Sequence, residues 1–229
     1  MKQLLLVLVA TVLTQYAYAQ KTKQTDLPSF RITVNGGYSY RLGKVSSQYT
    51  GEAKDYMKKL KSGFNIGADA MYYFKERMGV GLKYSRFQAT NSAVIPVMTG
   101  SGQMRTTVGD NISINFFAAT FGTRIFNAAE TNAFYANVAL GYLGFRDKGW
   151  VYLDKLLLTG GSLGIGWDIG YDFRITRRLS AGAQLSLISG QMTSFVKQDT
   201  NGSETITLTD EQKENLSHLN LSAGLRLNL

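Results

Sequence analysis

Between Ser162 and Phe173 the chain reads Ser-Leu-Gly-Ile-Gly-Trp-Asp-Ile-Gly-Tyr-Asp-Phe. Leu163, Ile165, Trp167, Ile169, Tyr171 and Phe173 are large and apolar, while Ser162, Gly164, Gly166, Asp168, Gly170 and Asp172 are small or acidic. A period of two held over such a run describes a β-strand with two unlike faces. Strands of soluble sandwiches are usually shorter, about 5–6 residues. A tilted strand that crosses a bilayer needs about 9–11.

The same unit recurs along the chain. The first strand, from about Phe30 to Leu42, sets Ile32, Val34, Tyr38 and Tyr40 against Arg31, Thr33, Asn35, Ser39 and Arg41. The second, Gly63 to Phe74, sets Phe64, Ile66, Ala68, Ala70, Tyr72 and Phe74 against Asn65, Gly67, Asp69 and Tyr73. The third places Met78, Val80, Leu82 and Tyr84 opposite Gly79, Gly81, Lys83 and Ser85. The fifth runs from about Ala133 to Phe145, and the sixth is the opening stretch. The seventh runs from Leu179 to about Gly190, and the last from about Ser217 to Leu229. The fourth, Asn111 to Phe126, is irregular: bulk at Ile112, Ile114 and Phe116 gives way to bulk at Phe117, Ala119 and Phe121. A β-bulge near Phe116–Phe117 is expected there, because one extra residue swaps the faces.

Two regularities turn these strands into an architecture. Connections alternate: Gly43–Ser62, Gln88–Asp110, Arg146–Thr159 and Gln191–Leu216 are long, whereas Lys75–Arg77, Asn127–Asn132 and Arg174–Arg178 are short. Aromatics also gather in two bands. Phe30, Tyr72, Phe74, Phe134, Tyr171 and Phe173 lie near the short turns, and Tyr38, Tyr40, Phe64, Tyr84 and Tyr142 near the long connections. Short turns on one side, long loops on the other and aromatic girdles at two heights describe a membrane barrel. A soluble barrel gives no reason for the two bands. The expected fold is all-β: an eight-stranded antiparallel up-and-down transmembrane β-barrel.

Composition narrows the setting. Residues 1–19 read as an export signal, with Lys2, the apolar run Leu4–Leu13 and Ala17-Tyr18-Ala19 before a cleavage after Ala19. The barrel domain is then residues 20–229. No later segment reaches about 18 uninterrupted apolar residues, so a spanning chain must close its backbone hydrogen bonds as a barrel. Cysteine is absent, which removes disulfides and thiol chemistry. The formal charge of +9 suits anionic surfaces such as lipopolysaccharide phosphates. The basic residues are dispersed, with no block or motif for nucleic acid, so no nucleic-acid partner is expected.

On these patterns the chain resembles the small eight-stranded outer-membrane β-barrel proteins of the OmpA/OmpX type, within the porin-like superfamily. The resemblance covers nearly all of the mature chain and is one of pattern. It implies a bacterial outer-membrane location, contact with outer-membrane lipid and lipopolysaccharide, and insertion by the outer-membrane assembly machinery. Members often end on an aromatic that this machinery reads; here the alternating end Leu225-Arg226-Leu227-Asn228-Leu229 closes on leucine.

An eight-stranded barrel is narrow enough for side chains to fill. The charged inward set is Arg31, Asp69, Lys83, Asp168, Asp172 and Arg226, and a short turn centred on Glu76 sets Asp69 across from Lys83. The functional reading of this polar lumen network is a gated ion path; the structural one, which the lumen size favours, is a salt-bridge plug. Lys54, Lys58, Lys59 and Lys61 in the first long connection are candidate lipopolysaccharide contacts, against the plain reading of a solvated loop. For lipid A chemistry His218, the single histidine, needs a hydroxyl from Ser162 or Ser186, because the adjacent Ser217 points to the opposite face of the strand. No catalytic motif, metal-ligand spacing or nucleotide loop supports a cofactor or metal.

The expected function is thus non-enzymatic: a structural or surface-interaction role through long extracellular loops, around a largely filled polar lumen. The fourth loop carries an alternating run, Glu204–Thr209, suited to a protruding edge that meets a surface protein or glycan partner. A narrow channel for small solutes and a lipid A-modifying enzyme are the alternatives.

Overall fold

A computed structural model of the chain describes residues 27–46, 49–99, 102–152, 154–200, 202–209 and 213–229. The export signal read at residues 1–19, and the lead-in as far as residue 26, lie outside the described residues. The elements are β1 (Phe30–Arg41), α1 (Gly51–Lys59), β2 (Ser62–Tyr73), β3 (Met78–Thr99), β4 (Gly102–Phe126), β5 (Asn132–Val151), β6 (Asp154–Arg174), β7 (Leu179–Met192), β8 (Ser194–Asp199), β9 (Gly202–Thr207), β10 (Glu214–Asn215) and β11 (His218–Asn228). Strands β1 to β7 pair in order, and β11 bonds to both β7 and β1. The eight-stranded antiparallel ring is closed.

The outer wall is apolar where a bilayer would meet it. Leu82 is 70% exposed and Leu140 65%, values that suit side chains lying in lipid. Phe30, Tyr72, Phe74, Phe134, Tyr171 and Phe173 form an exposed band at the short-turn end. Tyr38, Phe64, Phe117 and Tyr142 form the second, with Tyr84 stacked on Phe117 at 4.7 Å. The fold is that of a transmembrane outer-membrane-type β-barrel.

The four long connections are mostly not loops. Pairing of β3 with β4 continues to Thr99 opposite Gly102, and β5 with β6 to Val151 opposite Asp154. The fourth connection becomes the β8–β9 hairpin, with β9 as a free edge of the sheet. The first carries α1, whose Glu52 in the first turn and Lys58 and Lys59 in the last complement the helix dipole.

The bulge expected near Phe116–Phe117 is absent. β4 keeps one register against β3 from Thr123 to Gly102, and one against β5 from Phe126 to Val108. The extra residue falls elsewhere: Gly164 of β6 faces Gly190 of β7, but Gly160 faces Phe195 of β8. Four residues on β6 are matched there by five. Gly160 has no side chain because a Cβ would run into Met192 Sδ and the Ser194 carbonyl.

Buried polar side chains such as Ser39, Asn220 and His218 reach into the upper lumen, but the buried charge is concentrated in the short-turn half. There Arg31, Asp69, Lys83, Asp168, Asp172 and Arg226 are buried and face inward. Toward the long hairpins the inward face turns apolar, with Phe87, Ile114, Phe116, Leu143, Ile188, Met192 and Leu216 packed in one cluster, each at most 1% exposed. This corrects the reading of β4. Its inner face carries Ile112, Ile114 and Phe116 while its lipid face carries Phe117 and Phe121, so both faces are bulky and no bulge is needed.

Candidate functional site

The inward charges form two groups. Lys83 Nζ lies 3.3 Å from Asp69, its partner directly across the β2–β3 ladder, and donates to both oxygens of Asp168 at 3.0 and 3.1 Å. Nearer the short turns, the Asp172 carboxylate serves two guanidiniums, Arg31 at 2.8 Å and Arg226 at 2.9 Å. Arg226 also donates to the carbonyls of Gly182 and Gly224 and to the Tyr135 hydroxyl, while Arg31 stacks on the Tyr135 ring. All six charged residues singled out from the sequence therefore sit in ion pairs of buried groups. Such pairs hold together because removing one partner leaves an uncompensated charge.

Above them, α1 lies against the inner side of the extended β3–β4 wall. Tyr56 and Leu60 are buried in the apolar cluster. The Tyr56 hydroxyl donates to Asp110 Oδ2 at 2.6 Å, and Asn91 Nδ2 donates back to the Tyr56 carbonyl at 3.1 Å. Burial pushes up the Tyr56 phenol, reinforced by that bond to Asp110, so it stays a donor. Asp147 faces the same space from β5. Its carboxyl is raised to about 7, first by burial and then by the Asp110 charge, with Arg41 opposing. Asp110 is raised too, by burial.

His218 is fully buried at the start of β11. Its Nδ1 is 2.9 Å from the Leu216 carbonyl, its ring lies 5.7 Å from Phe87, and its Nε2 has no hydrogen-bond partner. Ser217 pairs with Ser189 at 3.2 Å, Ser186 accepts from Gln184, and the buried Ser162 hydroxyl has no partner. Among the described residues, no serine is brought to the histidine.

The sequence reading missed a feature of the outer wall. Above Tyr142, the even positions of β5 continue outward as Arg146, Lys148 and Trp150, and β6 sets Lys155 and Leu157 beside them. With Gln198 and Thr200 of the β8–β9 hairpin they line a groove of about 660 Å³. Trp150 lies flat over Gly109, where any side chain would collide with the indole. The signal was present, since the alternation of the fifth strand continues through Trp150; it was passed over because the lipid-facing apolar residues stop at Tyr142.

Of the candidate lipopolysaccharide lysines, Lys54 and Lys59 are exposed on α1. Lys58 pairs with Asp55 at 3.1 Å, and Lys61 sits 4.8 Å over the Tyr40 ring. They flank the barrel mouth without converging on one point. Arg105, which the sequence did not single out, clasps Glu52 of α1 with two bonds at 3.1 and 2.9 Å.

No family model and no curated protein matches the chain. Solved structures do resemble it in fold. A major outer-membrane protein from Thermus thermophilus matches with a TM-score of 0.54 and 11% identity, over 87% of this chain and 99% of the other. The neisserial surface protein A matches at 0.52 and 13%, over 90% and 100%. The outer membrane protein OprG from Pseudomonas aeruginosa matches at 0.50 and 10%, over 89% and 97%. At these identities the likeness is one of fold.

Proposed function

We propose that this is an exported outer-membrane surface protein whose barrel is closed to solutes and whose extracellular wall binds the phosphorylated sugars of lipopolysaccharide. One observation carries the reading: Arg146, Lys148 and Lys155 flank Trp150 just above the outer aromatic band, and none is ion-paired to a carboxylate among the described residues. Cations at that height meet the anionic headgroup layer, each contributing about 1 kcal/mol near such a surface. An indole beside them offers a flat apolar face to a sugar ring. The exposed Lys54 and Lys59 of α1 extend the same positive surface, while the polar and apolar halves of the lumen, beneath α1, support a barrel without a conducting path. Insertion would rest on the assembly machinery acting at the alternating last strand.

The test uses the mature barrel in lipid vesicles. Intact lipopolysaccharide is expected to bind more tightly than its dephosphorylated form, and Arg146→Gln with Lys148→Gln and Lys155→Gln to weaken binding on the order of a hundredfold. Equal affinity for the two forms would sink the phosphate reading. Single-channel recording in planar bilayers is expected to show no steps; regular ohmic openings would overturn the closed barrel.

A further inference from the structure

Arg124 is a buried charge with no carboxylate in salt-bridge contact among the described residues, the Glu76 carboxylate acting on it only at longer range. It is 3% exposed on the inner face of β4 near the short turns. Its Nε donates to the Glu76 carbonyl at 2.9 Å, its Nη2 to the Pro28 carbonyl at 2.6 Å, and its guanidinium lies flat over the Tyr73 ring at 3.6 Å. No carboxylate among the described residues is ion-paired with it. The deficit is not made up nearby. The buried inward set around it comprises four cations, Arg31, Lys83, Arg124 and Arg226, and three carboxylates, Asp69, Asp168 and Asp172, each of which is already bound to Lys83, Arg31 or Arg226.

Beside Arg124 lies a pocket of about 20 Å³, opening at the short-turn end. A volume of that kind holds about one water-sized particle. Arg31, Tyr73 and Arg124 line it together with Asp172, whose carboxylate is taken up by Arg31 and Arg226, and the exposed Arg174 and Arg177 complete its rim. The buried Tyr73 hydroxyl and the buried Arg31 Nε lack a well-formed hydrogen bond, and the two side chains lie within electrostatic reach of each other. A pocket with two guanidiniums, a hydroxyl, a surplus of one positive charge and room for a single small particle has the chemistry of an anion site.

We propose that this periplasm-facing pocket binds one small monovalent anion of halide size, held by Arg31, Arg124 and the Tyr73 hydroxyl. The ion completes the charge balance of the lower lumen. Arg174 and Arg177 draw it in from solution but do not fix it. A larger oxyanion such as inorganic phosphate fits poorly, because the pocket has no second particle's worth of space.

The experiment is thermal unfolding of the full mature barrel in a zwitterionic detergent, titrated with sodium chloride against sodium gluconate at constant ionic strength. The midpoint is expected to rise and saturate with chloride, and inorganic phosphate at the same ionic strength to give less. Arg124→Gln is expected to abolish the chloride response, while Lys44→Gln, at an exposed position near the long-loop end, leaves it unchanged. If Arg124→Gln does not fold, Tyr73→Phe keeps the charges and removes one donor. It is then expected to raise the half-saturating chloride concentration about tenfold, the worth of one charge-assisted hydrogen bond. In crystals soaked with bromide, an anomalous peak is expected within hydrogen-bond reach of Arg124. Unfolding that depends on ionic strength alone would overturn the proposal. So would a chloride response that appears only in Asp26→Asn, since that carboxylate, outside the described residues, would then be the missing counter-charge.

Discussion

Lys83 is held between two carboxylates, and the distances rank them: both oxygens of Asp168 are nearer than the single contact with Asp69. Replacing Lys83 by Met leaves two buried carboxylates facing each other, so a loss of about 3–5 kcal/mol is expected. Asp69→Asn leaves Lys83 its stronger partner and should cost less. Urea unfolding of the barrel in detergent gives the order, and equal costs would show that the two pairs are not distinct. The Asp69–Lys83 facing was legible in the sequence because a short turn fixes register by counting. Asp168 as a shared partner was not, since it reaches Lys83 across the lumen from β6. Asp147 makes a prediction of its own. Folding raises its carboxyl from 3.8 to about 7, through burial and the charge of Asp110. The folded state then binds its proton more tightly than the unfolded chain, so the contribution of Asp147 to stability is full below about pH 4 and is lost as pH rises through 7. Protection factors of the hairpin amides from 105 to 112, with the intrinsic pH dependence of exchange divided out, should be higher at pH 5.5 than at pH 8 in the wild type. In Asp147→Asn that difference should shrink, with Asp110, Arg41 and Glu214 the remaining charges nearby.

At the scale of elements, α1 is anchored on its buried side by Tyr56, by Leu60 just past its end and by the partly buried Met57. Truncating Leu60 to Ala removes a buried side chain at a cost of about 2–5 kcal/mol, which a nine-residue helix has few other contacts to absorb. Trypsin should therefore cut after Lys58 and Lys59 much faster in Leu60→Ala, with the barrel's own unfolding unchanged. Cleavage at the wild-type rate would mean the helix is held some other way. The sequence pattern marks the helix weakly, because the first connection is charged throughout. The hairpins beyond the membrane were read as loops for a related reason. Thr90–Ser92 is polar on both faces, and in Thr106–Asp110 a single apolar residue, Val108, marks a face. Without lipid on one side, little in the pattern separates strand from coil.

For the whole molecule, the sequence carried the ring of eight strands and its orientation, because lipid imposes one contrast along every strand. It did not carry what fills the ring. Once the inner wall of β4 is as apolar as the outer, the contrast vanishes, and Ile114 and Phe117 look alike on paper though one meets the core and the other lipid. The outer wall can be tested by depth. Val138 lies between Phe134 in one aromatic band and Tyr142 in the other, and Val138→Arg is expected to cost about 2–4 kcal/mol of barrel stability in lipid. Substitution of the outward Gly144, above Tyr142, by Arg should cost little. Equal penalties at the two heights would misplace the membrane.

The additional residue where β7 gives way to β8 also has a consequence for side-chain orientation. Up to Met192 the even-numbered positions of this strand look into the barrel, and from Phe195 the odd-numbered ones do. Were the ladder to β6 to run on from Gly190 in unbroken register, without that extra residue, Phe195 would be thrust into water and Val196 drawn under the apolar cluster. A single peptide unit thus decides which surface the outermost ribbon shows to the world outside the cell.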